Sequence, residues 1–344
     1  MRHLLHLLLG LAVLGASAES SLAAGPGDGF DEKRNAFEKV AVKGSRSERE
    51  RALAELVGTA NAEAVTVLTG EFARVATKLR KASEELVRVR YQLDRKRVLL
   101  VTLEKRAERD RELEQSVTEQ RARVRQLQSE LARHERSEKT LAPWIQSLGV
   151  GSATLFGSIG SKAKAARRTL WKTAEDSPEL NQRLAAVEML GFVGAEGTAV
   201  DMQKLIAELG KERSTLRRKL PKLLVGVRKM EARLQKESDQ SGGRLSAASA
   251  AQYEKIKREA AADRRLITAM GLVCDECVLA AGCALERMQA GSRSKAISLL
   301  LKAQKKAPTG ARLRTLQILS AVECAPAQGA LLGCLAGEDE PLVI

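Results

Sequence analysis

Histidine is almost missing from this chain. It occurs three times in 344 residues, and His3 and His6 sit at the very start, so His134 stands alone in the remainder. Hydrolytic triads and histidine-based metal centres both need an imidazole beside a second reactive or ligating group, and no Ser or Cys partner accompanies His134. No catalytic residue, metal ligand or cofactor-binding residue is therefore assigned, and no cofactor is expected. Aromatic residues make up 3% of the chain. Without aromatic platforms on a basic strand, base stacking has nothing to build on, and nucleic acid is not expected as a partner despite a formal charge of +15. Prolines number only seven and mark joints.

What fills the chain instead is Ala, Leu, Arg, Lys and Glu. Charged residues are 29% and apolar residues 44%, a mix suited to long helices with a packed core. The expected fold is all-α, with short helix pairs combined with long coiled-coil helices.

The first 18 residues read as a secretory signal. Arg2 supplies a positive start, Leu4 to Val13 is largely apolar, and Ala16-Ser17-Ala18 offers a small-x-small cleavage site. A second cleavage point lies near Ala23-Ala24. The apolar run is shorter than the roughly 20 residues of a membrane-spanning helix, and no later stretch is expected to span a membrane. The mature chain is expected in a periplasm or outside the cell. Residues 19–32 read as a disordered leader, rich in Ser, Gly and Ala.

Residues 33–70 hold a helical segment with a break near Gly44-Ser45 and a turn at 58–61. Residues 71–142 carry the strongest periodicity. Leu79, Leu86, Leu93 and Leu100 recur every seven residues, and Ala82, Val89, Lys96 and Leu103 run three behind them, a coiled-coil seam with one polar position. Leu79, Leu86, Leu93, Leu100 and Leu103 are the candidate interface of this coil, and self-association along it is one expectation. The seam resumes at Leu113, Val117, Val124, Leu127, Leu131 and Leu141. The charged interval between Leu103 and Leu113 contains no Gly or Pro, which favours one continuous rod over two antiparallel arms. Such a rod, at about 1.5 Å per residue, exceeds 100 Å.

Pro143 is expected to end that helix and to open residues 143–175, a glycine-rich connector followed by a short basic helix. Gly149, Gly151, Gly157 and Gly160 lack the Gly-Lys-Ser/Thr ending of a phosphate-binding loop, and no strand precedes them. A helix starts at Asp176-Ser177-Pro178. Further on, Leu205, Leu209, Leu216, Leu220, Leu223, Val227, Met230 and Leu234 make a second heptad seam, with a kink or new segment expected at Pro221. Ser238 to Gly243 is the clearest turn in the chain. The helices on either side of it, centred on residues 211–262, are expected to form a coiled-coil hairpin. Residues 263–344 form a C-terminal helical series.

Residues 176–210 resemble a HEAT-like helical repeat. Asp176, Pro178, Arg183, Ala185, Ala186, Leu190, Gly191 and Gly194 fit the first helix and turn of that family, and Val200, Leu205 and Ile206 fit its second helix. Fainter echoes lie at 51–68 and 312–335. The resemblance implies a stacked helical scaffold that binds partners, usually proteins, and has no chemistry of its own.

The five cysteines, Cys274, Cys277, Cys283, Cys324 and Cys334, all fall in the C-terminal region. The Cys274-x-x-Cys277 spacing matches a redox motif, but that motif belongs after a strand at the start of a helix. A thiol enzyme or a Cys-rich zinc site is thus an alternative, and in an oxidising compartment a disulfide joining Cys277 or Cys283 to Cys324 or Cys334 is another. The first reading of function is an exported, non-enzymatic scaffold acting through helix faces on protein partners. The second is a binder of anionic envelope polymers or lipids through basic faces such as Arg88, Arg90, Arg95, Lys96 and Arg97.

Overall fold

The computed structural model describes residues 29–336, apart from 109, 195–196, 241–245, 305–308 and 323. The signal segment and residues 19–28 lie outside them. The described residues form an all-α fold of eleven helices: α1 (Phe30–Lys43), α2 (Arg46–Gly58), α3 (Ala64–Ala107), α4 (Glu114–Ser158), α5 (Ala163–Asp176), α6 (Leu180–Val193), α7 (Thr198–Gln240), α8 (Ala247–Arg287), α9 (Ala290–Gln304), α10 (Thr309–Ser320) and α11 (Ala325–Ala336).

Local chemistry sets several boundaries. Ser45 opens α2 with a capping box: its Oγ accepts the Glu48 amide, and the Glu48 carboxylate accepts the Ser45 amide at 2.7 Å. Ser246 caps α8 with its Oγ, which accepts the Ser249 amide. Each such cap satisfies amides that the first turn leaves open. The leader is shorter than expected, because Phe30 is buried and already belongs to α1.

The long coil is a hairpin, not a rod. α3 and α4 lie side by side and antiparallel, with Arg90 bonded to Glu135, Ser83 to Glu138 and Arg121 to Glu104. The reversal needs no Gly or Pro. Asp110 supplies it, accepting the Glu112 amide at 3.0 Å while its own carbonyl accepts the Leu113 amide at 3.2 Å. A short side chain that bonds its backbone two residues on mimics a turn. Within this first arm, Val89 and Leu93 from α3 meet Val124 and Leu127 from α4, with Leu100 and Leu131 packed against them. The polar seam position is matched as well: Gln120 is buried opposite Lys96 and donates to its carbonyl at 3.0 Å.

Pro143 does not end α4, and the glycine-rich stretch after it is helical as far as Ser158. Packing outweighs propensity here. A Cβ at Gly149 would stand 2.5 Å from the Phe192 ring, so the absence of a side chain is what lets α4 seat against α6. Burial of Trp144, Ile145, Leu148, Leu155 and Phe156 along the same helix contributes roughly 1.5–3 kcal/mol per side chain. This exceeds the penalty of about 1 kcal/mol for each helical Gly.

The second hairpin pairs α7 with α8. Its antiparallel register is fixed by Tyr253 to Glu231 and by Lys219 to Glu259 and Asp263. α7 runs through Pro221 as one helix. The turn residues 241–245 lie outside the described residues.

Helix α6 joins the two hairpins. Leu184, Ala185, Ala186, Val187, Met189, Leu190, Gly191 and Phe192 are all buried, and a helix so largely apolar belongs inside. It packs on α3, α4, α5 and α8. The helices expected from the repeat-like stretch are both present, but the second continues to Gln240 and the main neighbours of α6 are other elements. α8 contains a window of mean hydropathy 1.7, long and apolar enough to cross a membrane by length and composition, contrary to expectation. Half of that window is buried inside the protein, where Ala280, Ala281, Gly282 and Ala284 allow close helix contact. Helices α9 and α10 cover α7 and α8, tied by a buried bond of 2.6 Å from Gln203 Nε2 to Thr315 Oγ1.

Candidate functional site

The Cys274-x-x-Cys277 pair lies in the middle of α8, far from a helix start. Cys274 and Cys277 are buried, Cys283 and Cys324 half-buried, and all four are free thiols. The disulfide pairing of Cys277 or Cys283 with Cys324 is therefore not formed. The side chain of Cys334 lies outside the described residues. Burial pushes the Cys274, Cys277 and Cys283 thiols up, away from the thiolate form, and Asp275 and Glu276 add to this effect. Redox chemistry depends on the opposite shift. Among the described residues no three Cys, His, Asp or Glu side chains gather as a metal site.

One group of charged side chains is set into the α6–α8 contact. Glu188 and Glu276 interact across it, each half-buried by exposed area. Burial raises both carboxyls, Glu276 to about 7 and Glu188 well above the ordinary range; Glu188 is raised further by Glu276 and Glu276 by Asp275, while Arg80 of α3 opposes the rise at both. The guanidinium of Arg80 also holds Asn181 at 3.0 Å. Sequence reading passes over this pair because residues 188 and 276 meet only through tertiary packing.

The surface with the clearest capacity to bind is the outer face of the first arm. The leucine seam is consumed within the chain: Leu86 and Leu93 are buried, Leu100 packs beside them, Leu103 is half-buried and Leu79 joins the main core. Helix α4 packs along that seam. On the opposite side of α3 runs a second apolar line, Val87, Tyr91, Val98 and Val101, each 52–69% exposed. Their spacing of four, seven and three residues keeps them on one side of the helix, with Asp94 at the skipped position.

The basic residues expected to face a polyanion divide into two groups. Arg88 pairs with Glu85 and Arg90 with Glu135. Arg95 lies over the Tyr91 ring at 5.8 Å, and neither Arg95 nor Arg97 is joined to a carboxylate among the described residues. The apolar line thus carries Arg95 and Arg97 along its edges and Asp94 within it. Signal for it exists in the sequence, since residues 87, 91, 98 and 101 repeat with heptad spacing, but the stronger leucine repeat masks it.

No family model, no curated protein and no solved structure matches the chain.

Proposed function

We propose that this protein is an exported, non-enzymatic scaffold that binds protein partners through the faces of its helical hairpins. The observation that carries this reading is the exposed line Val87, Tyr91, Val98 and Val101 on a long helix whose other side is already filled. Apolar side chains aligned on one helix face accept the apolar face of another helix. The edge charges of Arg95 and Arg97 favour a partner helix with acidic flanks, through complementary potential. The buried, protonated thiols of α8 speak against a thiol enzyme.

The test is residue-specific photo-crosslinking in the cell that makes the protein. A crosslinker at Val98 captures one defined protein, and the same probe at Arg123, exposed on α4, does not. With the probe kept at Val98, V87D/V101D abolishes the adduct while the circular dichroism and Tm stay unchanged. Equal labelling at both positions removes the scaffold reading. Capture that instead vanishes steeply with salt and is replaced by soluble polyanion supports the envelope-polymer reading. Fractionation tests export: a mature chain beginning at Glu19 or near Ala24 outside the cytoplasm agrees with it, and a full-length cytoplasmic chain refutes it.

A further inference from the structure

At the base of the first arm, α2 and α4 enclose a cleft of about 220 Å³ lined by Arg46, Arg49, Glu50, Lys139, Thr140, Pro143 and Trp144. Pro143 helps to create it. A proline in a helix has no N–H, and its ring pushes against the carbonyl four residues back, here that of Lys139. The floor is held from behind. The Trp144 indole N–H donates to Glu71 at 3.1 Å, and Glu71 is gripped by Arg74 at 2.6 Å, which also donates to the Ala41 carbonyl at 3.1 Å. Phe37 packs on the same indole, with ring centroids 6.3 Å apart. Trp144 is therefore a fixed wall.

Arg49 lies over that wall, its guanidinium carbon 5.4 Å from the ring centroid. Its Nε is buried and meets no acceptor among the described residues. Arg46 and Glu50 neutralise each other through a bond of 2.8 Å. Arg49 and Lys139 have no such carboxylate among the described residues, so the cleft holds two uncompensated cations. A guanidinium whose plane is set by an aromatic face presents its remaining donors in a fixed direction, the arrangement suited to a bidentate oxyanion. A buried donor with no acceptor is costly.

We propose that this cleft is a binding site for a single oxyanion, a carboxylate or phosphate group, held by Arg49 and Lys139 against the Trp144 wall. Its volume is below the roughly 300 Å³ lower bound of sites for drug-sized ligands, so it takes one anionic group and not a large cofactor. The site is independent of the Val87–Val101 face and of the partner bound there.

The test uses the full mature chain carrying W171F, which leaves Trp144 as the sole tryptophan. Its fluorescence is titrated with inorganic phosphate and with acetate at constant ionic strength, with chloride as the reference. Saturable quenching or shift by phosphate alone assigns the site to phosphate groups, by acetate alone to carboxylates, and by both to either anion. Arg49→Gln and Arg49→Lys each weaken binding roughly tenfold or more, since Lys lacks the planar fork. Lys139→Gln, at an exposed position that does not affect folding, weakens it several-fold. A response to both anions no different from chloride overturns the proposal, as does saturable binding that survives Arg49→Gln and Lys139→Gln together in a chain of unchanged circular dichroism.

Discussion

Gly191 of α6 rests directly on the backbone of Ala280 in α8: a Cβ at position 191 would come within 2.8 Å of both the Ala280 Cα and its carbonyl oxygen. Backbone cannot swing aside as a flexible side chain can. Gly191→Ala therefore lowers stability by about 1–3 kcal/mol, the usual cost of overpacking. The urea midpoint falls with an unchanged slope. Gly210 of α7 supplies the control, because nothing lies within 4 Å of its added Cβ. Gly210→Ala gains about 0.5–1 kcal/mol from helix propensity.

The Glu188–Glu276 pair, one helical turn from that contact, makes stability depend on pH. Both folded-state carboxyls are raised, Glu276 to about 7. Between the ordinary carboxylate range near 4.5 and about 7, the folded protein holds a proton that the unfolded chain has released. Unfolding then releases protons, so stability falls as pH rises through this window. Glu276→Gln keeps the shape, removes the titration and lowers the Glu188 carboxyl. The variant is more stable than the parent at pH 8, and its stability changes less between pH 5 and pH 8 by urea titration. The groups facing the pair, charged Arg80 and Asp275 and the neutral thiols of Cys277 and Cys283, remain in both proteins.

Glu71 accepts from both Trp144 and Arg74 while itself 9% exposed. Glu71→Ala leaves an indole N–H without its acceptor and Arg74 without its counter-charge. The expected loss is about 2–3 kcal/mol, kept moderate because the Arg74 side chain is 31% exposed. Thermal unfolding measures it, and Glu71→Gln recovers part of the loss through its carbonyl oxygen.

Asp110 holds the tip of the first arm. Asp110→Ala removes the bond to the Glu112 amide, a change worth about 1 kcal/mol in a comparable cap. The effect is local. Hydrogen exchange accelerates at residues 112–116, while amides of α6 exchange as in the parent.

Thiol labelling orders the cysteines by burial. Cys324 reacts in the native state, whereas Cys277, fully buried and with its thiol pushed far up, reacts only on unfolding. Rapid labelling of Cys277 in the folded protein would contradict the packing of α8.

The helical class, the break near Gly44-Ser45, the second hairpin and the heptad rows were legible because each depends on neighbours in the chain. Two features were read wrongly. The interval 104–112 looks like a stutter because a local turn led by Asp110 needs neither Gly nor Pro, and residues 143–158 look like a connector until the distant Phe192 is placed against Gly149. The same reason hides the cleft, whose Arg49 and Trp144 come from different helices, and the carboxyl pair on α6 and α8. The outer line of α3 was present in the sequence, yet its exposed state follows only once α4 is known to fill the opposite side.

Helix α6 touches the root of one hairpin through α3 and α4 and that of the other through α8. Two levers that share one axle cannot be loaded separately. Movement at the root of the first arm passes through α6 to its contact with α8, where Gly191 rests on Ala280 and the carboxyls of Glu188 and Glu276 interact. The backbone contact of Gly191 on Ala280 and the raised carboxyls of Glu188 and Glu276 lie a single turn apart on a helix that touches both arms.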